Sequence, residues 1–118
     1  MAKLHHHYHS NNPLTNRLFD KVIGIIGPIN HKKTIVDFDC RTGVFVKRIV
    51  DKELKFKEVY AIDTSKNELN HFRKYIKSLS KEHKKKIKLH YRKSWKLSNN
   101  VKKSDIFVSF NTLGYIDN

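Results

Sequence analysis

Two acidic side chains and the polar loop between them have the residue types and spacing of a ligand site. Asp37 stands in a β-rich run over 34–38, which passes into the polar loop 39–43. Asp63 follows a second apolar run, 20 residues after Gly43. A loop that closes on glycine lets the backbone approach a ligand, and a carboxylate at the tip of the next strand can accept both hydroxyl protons of a ribose. The spacing therefore predicts a site for an adenosine-containing ligand.

Alternating strand and helix patterns place these residues at one edge of a sheet. Apolar residues at helical spacing predict helices, and short β-branched runs predict strands. In chain order these are a helix over about 14–26, a strand over 34–38, a helix from about 45, a strand over 59–62, a helix opened by Ser65, and strands over 86–91 and 106–110. Such alternation predicts a doubly wound, mostly parallel α/β sheet with helices on both faces. Ligands bind at the carboxyl ends of such strands, which would carry 37–43, Asp63, Ser94 and Asn111.

At these residues the sequence resembles the class I S-adenosylmethionine-dependent methyltransferases. The segment 35–43, IVDFDCRTG, is similar to the family's first motif, in which hydrophobic residues and an acid precede G-x-G-x-G. The segment 59–65 looks like its second motif, and 105–113 is similar to its fourth strand and the loop after it. The resemblance covers about residues 14–118 and implies a Rossmann-like half-fold of about four strands in the order 3-2-1-4. Since the family's sheet has seven strands, the expectation is a truncated domain.

The resemblance also implies a cofactor, S-adenosylmethionine. By that likeness Asp37 would face the methionine end of the cofactor, Asp63 its ribose, and Ser94 would lie near the adenine. The candidate cofactor-binding residues are Asp37, Asp39, Cys40, Gly43, Asp63, Ser94 and Asn111. No residue is assigned a catalytic role, because none has the setting of a general base. A nicotinamide dehydrogenase would share the strand, loop and ribose acid, but Asp37 before the loop and the missing glycines disfavour it.

Two positions of the glycine motif carry charged side chains. Asp39 stands at the first glycine and Arg41 at the second, so only Gly43 is retained. Glycine there permits the backbone turn and the close approach of a ligand, and larger side chains fill space that the methionine moiety needs. The site is therefore expected to be degenerate: S-adenosylmethionine remains a possible cofactor, with its binding impaired.

Positive charge is concentrated in one region of the chain. There are 25 Lys and Arg against 11 Asp and Glu, a net charge of +14, and residues 66–103 hold 14 of these cations with only two acids. Interleaved cations and aromatic residues of this kind attract polyanions and are typical of proteins that bind single-stranded nucleic acid. A solvated helix end and turn is the other explanation of the run 81–86. The residues predicted to contact phosphate are Lys84, Lys85, Lys86, Lys88, Arg92 and Lys93.

Two functions follow from these features, and the sequence leaves both open. The first is a degenerate methyltransferase-like domain that acts as a basic, RNA-binding structural component of a larger ribonucleoprotein. The second is an S-adenosylmethionine-dependent methyltransferase, or the cofactor-binding half of one, acting on nucleic acid. In either case the apolar run Ile106–Phe110 would form a sheet edge, which predicts a protein partner or self-association.

Length and composition limit the remaining classes. A chain of 118 residues with 38% apolar residues fits one domain over 13–118, preceded by a flexible histidine-rich arm over 1–12 that is assigned no metal site. No apolar run is long enough to span a bilayer and no signal peptide is apparent, so a soluble protein of the cytoplasm, an organelle or a virus is expected. The one cysteine, Cys40, excludes an intrachain disulfide.

Overall fold

The computed structural model describes residues 13–93 and 104–110, which contain four strands and four helices. In chain order these are α1 (Pro13–Ile26), β1 (Thr34–Phe38), α2 (Val44–Asp51), β2 (Glu58–Asp63), α3 (Lys66–Lys77), α4 (Lys81–Lys86), β3 (Ile87–Tyr91) and β4 (Ile106–Val108). None of these described helices has both the length and the apolar character needed to cross a membrane. The predicted arm over 1–12 and the predicted site residues Ser94 and Asn111 lie outside the described residues.

The four strands form one parallel sheet in the order β3-β2-β1-β4. β1 is central: Val36 lies in register with Tyr60 of β2 and with Phe107 of β4. This arrangement confirms the predicted α/β class and the predicted strand order. Because parallel strands end at the same edge, Asp37 near the end of β1 and Asp63 at the end of β2 come to one rim of the sheet.

One strand is shorter than the sequence predicted, and one helix was not predicted. The strand predicted over 106–110 ends at Val108, because Phe110 turns into the core, where its ring centroid lies 4.8 Å from those of both Phe19 and Phe45. The cationic run 81–86 forms α4 immediately before β3, and the Ser80 hydroxyl caps it by accepting the His83 N–H at 3.2 Å. The lysines of this run therefore project from a helix.

The main core lies on one face of the sheet. Alternation along the strands directs Ile35, Val59 and Ile87 to that face. There they meet buried residues of the first three helices, Phe19, Phe45, Val46, Ile49, Leu69 and Phe72. Asp37 follows Ile35 by two residues and so projects from the same face. The first three helices therefore lie on the face of the sheet from which Asp37 projects.

Packing against α3 holds the loop that follows β1. α3 begins where the Ser65 hydroxyl accepts the Glu68 N–H at 3.2 Å, as the capping pattern predicts. One turn later the Phe72 ring lies so close to Gly43 that a Cβ there would stand 2.6 Å from it. Gly43 also has a φ of 85°, which glycine adopts without steric cost. The retained glycine is therefore required by the turn and by helix packing.

Replacing Gly43 with alanine should destabilise the protein by about 2–4 kcal/mol, because the left-handed backbone and the clash with Phe72 both oppose a Cβ. Urea unfolding followed by circular dichroism measures the loss. Gly27→Ala is the control for backbone strain alone, since Gly27 has a φ of 93° in open space, and should cost about 1 kcal/mol. Gly24→Ala, in open space within α1, should be neutral or stabilising. Equal losses at Gly43 and Gly27 would contradict the packing role.

Candidate functional site at the strand ends

Four buried carboxyl groups converge at the rim where β1 and β2 end. They belong to Asp37, Asp39, Asp63 and Glu68, each at most 5% exposed, and are here called the acid cluster. The structure therefore brings together the predicted residues of β1, its loop and the tip of β2. Glu68 was not predicted to belong to this site. It lies four residues before the buried Phe72, and this helical spacing could have placed it on the inner face of α3.

Both oxygens of the Asp63 carboxylate accept hydrogen bonds from the chain itself. Its Oδ2 accepts the Arg41 N–H and its Oδ1 accepts the Ser65 N–H, both at 2.8 Å. These bonds tie the loop after β1 and the start of α3 to the end of β2. The residue that the sequence predicted to hold a ribose is thus used to join three parts of the backbone.

The Arg41 side chain lies within the acid cluster. Its Nε is 3.7 Å from Asp39 Oδ1, and its Nη1 is 4.0 Å from Glu68 Oε1. Only 19% of this side chain is exposed. The guanidinium therefore neutralises part of the cluster from within the rim.

The backbone of the loop keeps the conformation that glycines favour. The φ angles are 61° at Asp39, 56° at Arg41 and 85° at Gly43, so all three positions of the resembled motif are left-handed. For a residue with a side chain this conformation costs about 1–2 kcal/mol, and it persists only where the surroundings impose it. Packing by Phe72 and the hydrogen bond to Asp63 supply that constraint here.

Burial raises the proton affinity of the acid cluster. The pKa of Asp37 lies well above its usual range because of burial, with further repulsion from Asp39 and Asp63. Burial also raises the pKa of Asp39 to about 6, although Arg41 opposes the shift. The pKa of Glu68 is raised by burial and lowered in part by Arg41. Asp37, Asp39 and Glu68 thus hold protons in a pH range where exposed carboxyl groups have lost them.

Cys40 supports the loop and is unsuited to act as a nucleophile. Its N–H donates to the Ile62 carbonyl at 3.0 Å, which anchors the loop to β2. Burial, reinforced by the carboxylate of Asp37, raises the pKa of its thiol well above the usual range. Since only the thiolate is strongly nucleophilic, this cysteine is chemically quiet.

The residues predicted to contact phosphate form a second feature, which runs from α4 before β3 to the two residues after β3, where the Arg92 N–H donates to the Asp63 carbonyl. Lys84, Lys85 and Lys86 lie in α4, Lys88 lies in β3, and Arg92 and Lys93 follow β3. Two of the six are paired: Lys86 Nζ lies 2.9 Å from Glu82 Oε1, and Lys88 Nζ lies 3.3 Å from Glu58 Oε2. Within the described residues the other four form no ion pair, and all but Arg92 are exposed. We call this feature the α4–β3 surface.

The outer side of α3 extends the basic area beyond the residues singled out from sequence. A shallow cavity of about 380 Å³ opens there, and it is lined by Asn67, Asn70, His71, Arg73, Lys74 and Lys77. The spacing of 70, 73, 74 and 77 is that of one helix face, which is the sequence signal that could have identified it. The cavity adds three cations and two amides next to the α4–β3 surface.

The fold is that of a known class of enzymes. A putative S-adenosylmethionine-dependent methyltransferase from Methanococcus maripaludis matches 97% of this chain and 50% of its own, with 18% identity and a TM-score of 0.74. The mycolic acid cyclopropane synthase CmaA1, complexed with S-adenosylhomocysteine, matches 84% of this chain and 32% of its own, with 19% identity and a TM-score of 0.64. The glycopeptide N-methyltransferase MtfA, complexed with S-adenosylmethionine, matches 65% of this chain and 32% of its own, with 17% identity and a TM-score of 0.54.

These likenesses establish a class I methyltransferase-like fold, as the sequence motifs predicted. The chain spans half or less of the length of the structures it matches. No protein-family model and no curated protein sequence matches it. At these identities the shared feature is the fold, and what the rim can bind has to be judged from its own side chains.

The rim of this chain does not fit S-adenosylmethionine in the arrangement described. One feature suits a ligand: Asp37 Oδ2 is buried with no hydrogen-bond partner in the described structure, and a ligand amine could donate to it. Two features oppose it. Both oxygens of Asp63, the ribose acceptor in the resembled motif, already accept backbone N–H groups, and the Arg41 side chain occupies the acid cluster.

The raised pKa of Asp39 predicts a pH-dependent stability. The folded state binds this proton more tightly than the unfolded state, so the free energy of unfolding should fall by up to about 3 kcal/mol as pH rises from about 4 to 6. Asp39→Asn should reduce this decline and leave the part due to Asp37 and Glu68, whose pKa values are also raised, as urea unfolding at a series of pH values would show. Asp51→Asn, at an exposed carboxylate of α2, is the matched control and should leave it in place. Parallel curves for the wild type and Asp39→Asn would contradict the assignment.

Proposed function

We propose that this chain is a methyltransferase-like domain that acts as a basic, RNA-binding structural component of a larger ribonucleoprotein assembly. The observation that carries the proposal is the α4–β3 surface, on which four of the six predicted phosphate contacts make no ion pair within the described residues. Residues 66–93 contain 11 cations and only two acids. One of those acids, Glu68, is buried in the acid cluster and cannot shield the surface lysines at close range.

The arrangement of the cations suits a flexible polyphosphate chain. Lys84 and Lys85 project from α4, while Arg92 and Lys93 follow the adjacent edge strand β3. A backbone of phosphates can follow such a path, since lysine and arginine contacts to phosphate need no particular base sequence. α3 contacts both β3 and α4 and supplies further cations along its cavity.

An exposed aromatic residue lies among these cations. Tyr91, at the end of β3, is 42% exposed, and Lys66 Nζ lies 5.0 Å from the centre of its ring. Tyr91 alternates with Ile87 and Leu89 along β3, but β3 is an edge strand in the described sheet and the Tyr91 ring is partly exposed. Exposed aromatic rings beside cations are the platforms on which single-stranded bases stack. This setting supports RNA as the polyanion.

S-adenosylmethionine-dependent methylation of nucleic acid is the second candidate function. The observation in its favour is the left-handed backbone at all three glycine positions, which keeps the loop path of the resembled motif. MtfA, a structural neighbour, is solved with S-adenosylmethionine. Micromolar binding of that cofactor to the wild-type chain in calorimetry would favour this candidate. The filled rim makes it the weaker of the two.

Charge reversal on α4 tests the RNA proposal. Lys84→Glu/Lys85→Glu should weaken binding of a single-stranded RNA by tenfold or more in fluorescence anisotropy, and should reduce the slope of log affinity against log salt by about 0.7 for each lost contact. Lys21→Glu/Lys32→Glu makes the same change of charge at exposed residues of α1 and of the turn before β1. This control should retain most of the affinity. Equal losses in the two variants would mean that only net charge matters and would remove the α4–β3 surface from the proposal.

We also propose that the β4 edge pairs with another strand, from a protein partner or a second copy of the chain. β4 pairs only with β1 in the described sheet, and Phe107 is 49% exposed. Edges of this kind form intermolecular sheets readily, and a lysine on the edge opposes such pairing. Phe107→Lys should therefore shift sedimentation-velocity profiles at high protein concentration towards monomer. Leu14→Lys, at an exposed residue of α1, is the control. A wild type that stays monomeric throughout would count against self-pairing.

A further inference from the structure

We infer that Arg41 is an internal occupant of the acid cluster: its side chain takes the place of a cationic ligand and closes the cofactor site of this fold. The inference concerns the rim and is independent of the α4–β3 surface. Arg41 replaces the second glycine of the resembled motif, and its side chain fills the space that a glycine at this position would leave open.

The charge balance of the rim favours a cation inside it. Four carboxyl groups lie within the cluster, and Arg41 forms ion pairs with two of them, Asp39 and Glu68. A buried carboxylate without a compensating charge is strongly disfavoured. A cation inside the rim therefore stabilises the folded state, and the chain supplies it from its own loop.

Arg41 and Ser65 use the hydrogen-bond acceptors of Asp63. The Arg41 N–H occupies Asp63 Oδ2, while the Ser65 N–H occupies Oδ1. Arg41 thus engages the rim twice, through its main chain at Asp63 and through its guanidinium at Asp39 and Glu68. A ribose that entered would have to compete with the first of these contacts and displace the second.

The backbone of Arg41 has a left-handed conformation. Arg41 holds a φ of 56°, which is unfavourable for a residue with a side chain. The ion pairs and the hydrogen bond to Asp63 offset that cost. Substitution by glycine relieves the strained conformation and removes the cation in one change, and this makes the position a sharp test.

The chemistry of the opened rim indicates the class of ligand it would accept. Without Arg41 the cluster keeps its carboxyl groups, including the unpartnered Asp37 Oδ2, and loses its internal positive charge. Such a rim favours a nucleoside that carries a cation. S-adenosylmethionine has a sulfonium charge, whereas S-adenosylhomocysteine has a neutral thioether at the same position. The opened site should therefore prefer the charged member of the pair.

Isothermal titration calorimetry with both nucleosides tests the inference. The wild type and Arg41→Lys, which keeps a cation in the rim, should show no binding of S-adenosylmethionine up to about 1 mM. Arg41→Gly and Asp39→Gly/Arg41→Gly should bind it at least about tenfold more tightly than that limit, and more tightly than S-adenosylhomocysteine. Tight binding by the wild type would overturn the inference. So would the absence of binding by glycine variants whose circular dichroism and cooperative unfolding match the wild type.

A second measurement covers variants that fail to fold. In the wild-type chain the Arg41 Nε–H nuclear magnetic resonance signal should exchange slowly with water, because the group is held beside Asp39, and S-adenosylmethionine should leave it unchanged. Arg17, exposed on α1, provides the reference for a free guanidinium. Exchange of the Arg41 signal as fast as that of Arg17 would overturn the inference. RNA affinity should be the same for the wild type and Arg41→Gly, which separates this test from that of the proposed function.

Discussion

The carboxylate of Asp63 is the group on which the organisation of the rim depends. Its two oxygens accept N–H groups from the loop after β1 and from the residue that caps α3. Its own carbonyl accepts the Arg92 N–H at 3.0 Å, just beyond β3. Hydrogen bonds to an ionised group contribute about 1.5–3 kcal/mol each. A single residue thus joins three connections of the sheet, and a ligand could use only the lone pairs of its carboxylate that these bonds leave.

Charge is separated between the interior and the surface. Four of the 11 acidic residues lie in the acid cluster, where burial holds them away from solvent. The lysines of α4 and the cations that follow β3 consequently face solvent with few acidic neighbours. Because four acidic residues are buried in the cluster, fewer acids remain on the surface, and the surface is more basic than the composition alone would make it.

Backbone and side chains at the rim have separate determinants. The loop keeps a left-handed path at Asp39, Arg41 and Gly43. The ring of Phe72 packs against Gly43, and the Arg41 N–H bonds to Asp63. What the loop can bind depends on those side chains, and here they are charged and mutually paired. A shared fold at 17–19% identity is compatible with a different use of the same rim.

The resemblance to the class I methyltransferases predicted the strand order. Local patterns in the sequence predicted the alternating strands and helices, the capped start of α3 and the position of two acids at one rim, because hydrophobic period and turn residues restrict the fold to few arrangements. They also located the basic region, since charge is a property of composition. The sequence could not show that Glu68 joins the cluster, that Arg41 turns inwards to meet it, or that both Asp63 oxygens accept backbone N–H groups. Those contacts join residues far apart in the chain or side chains whose direction depends on a strained backbone, and only tertiary packing determines them.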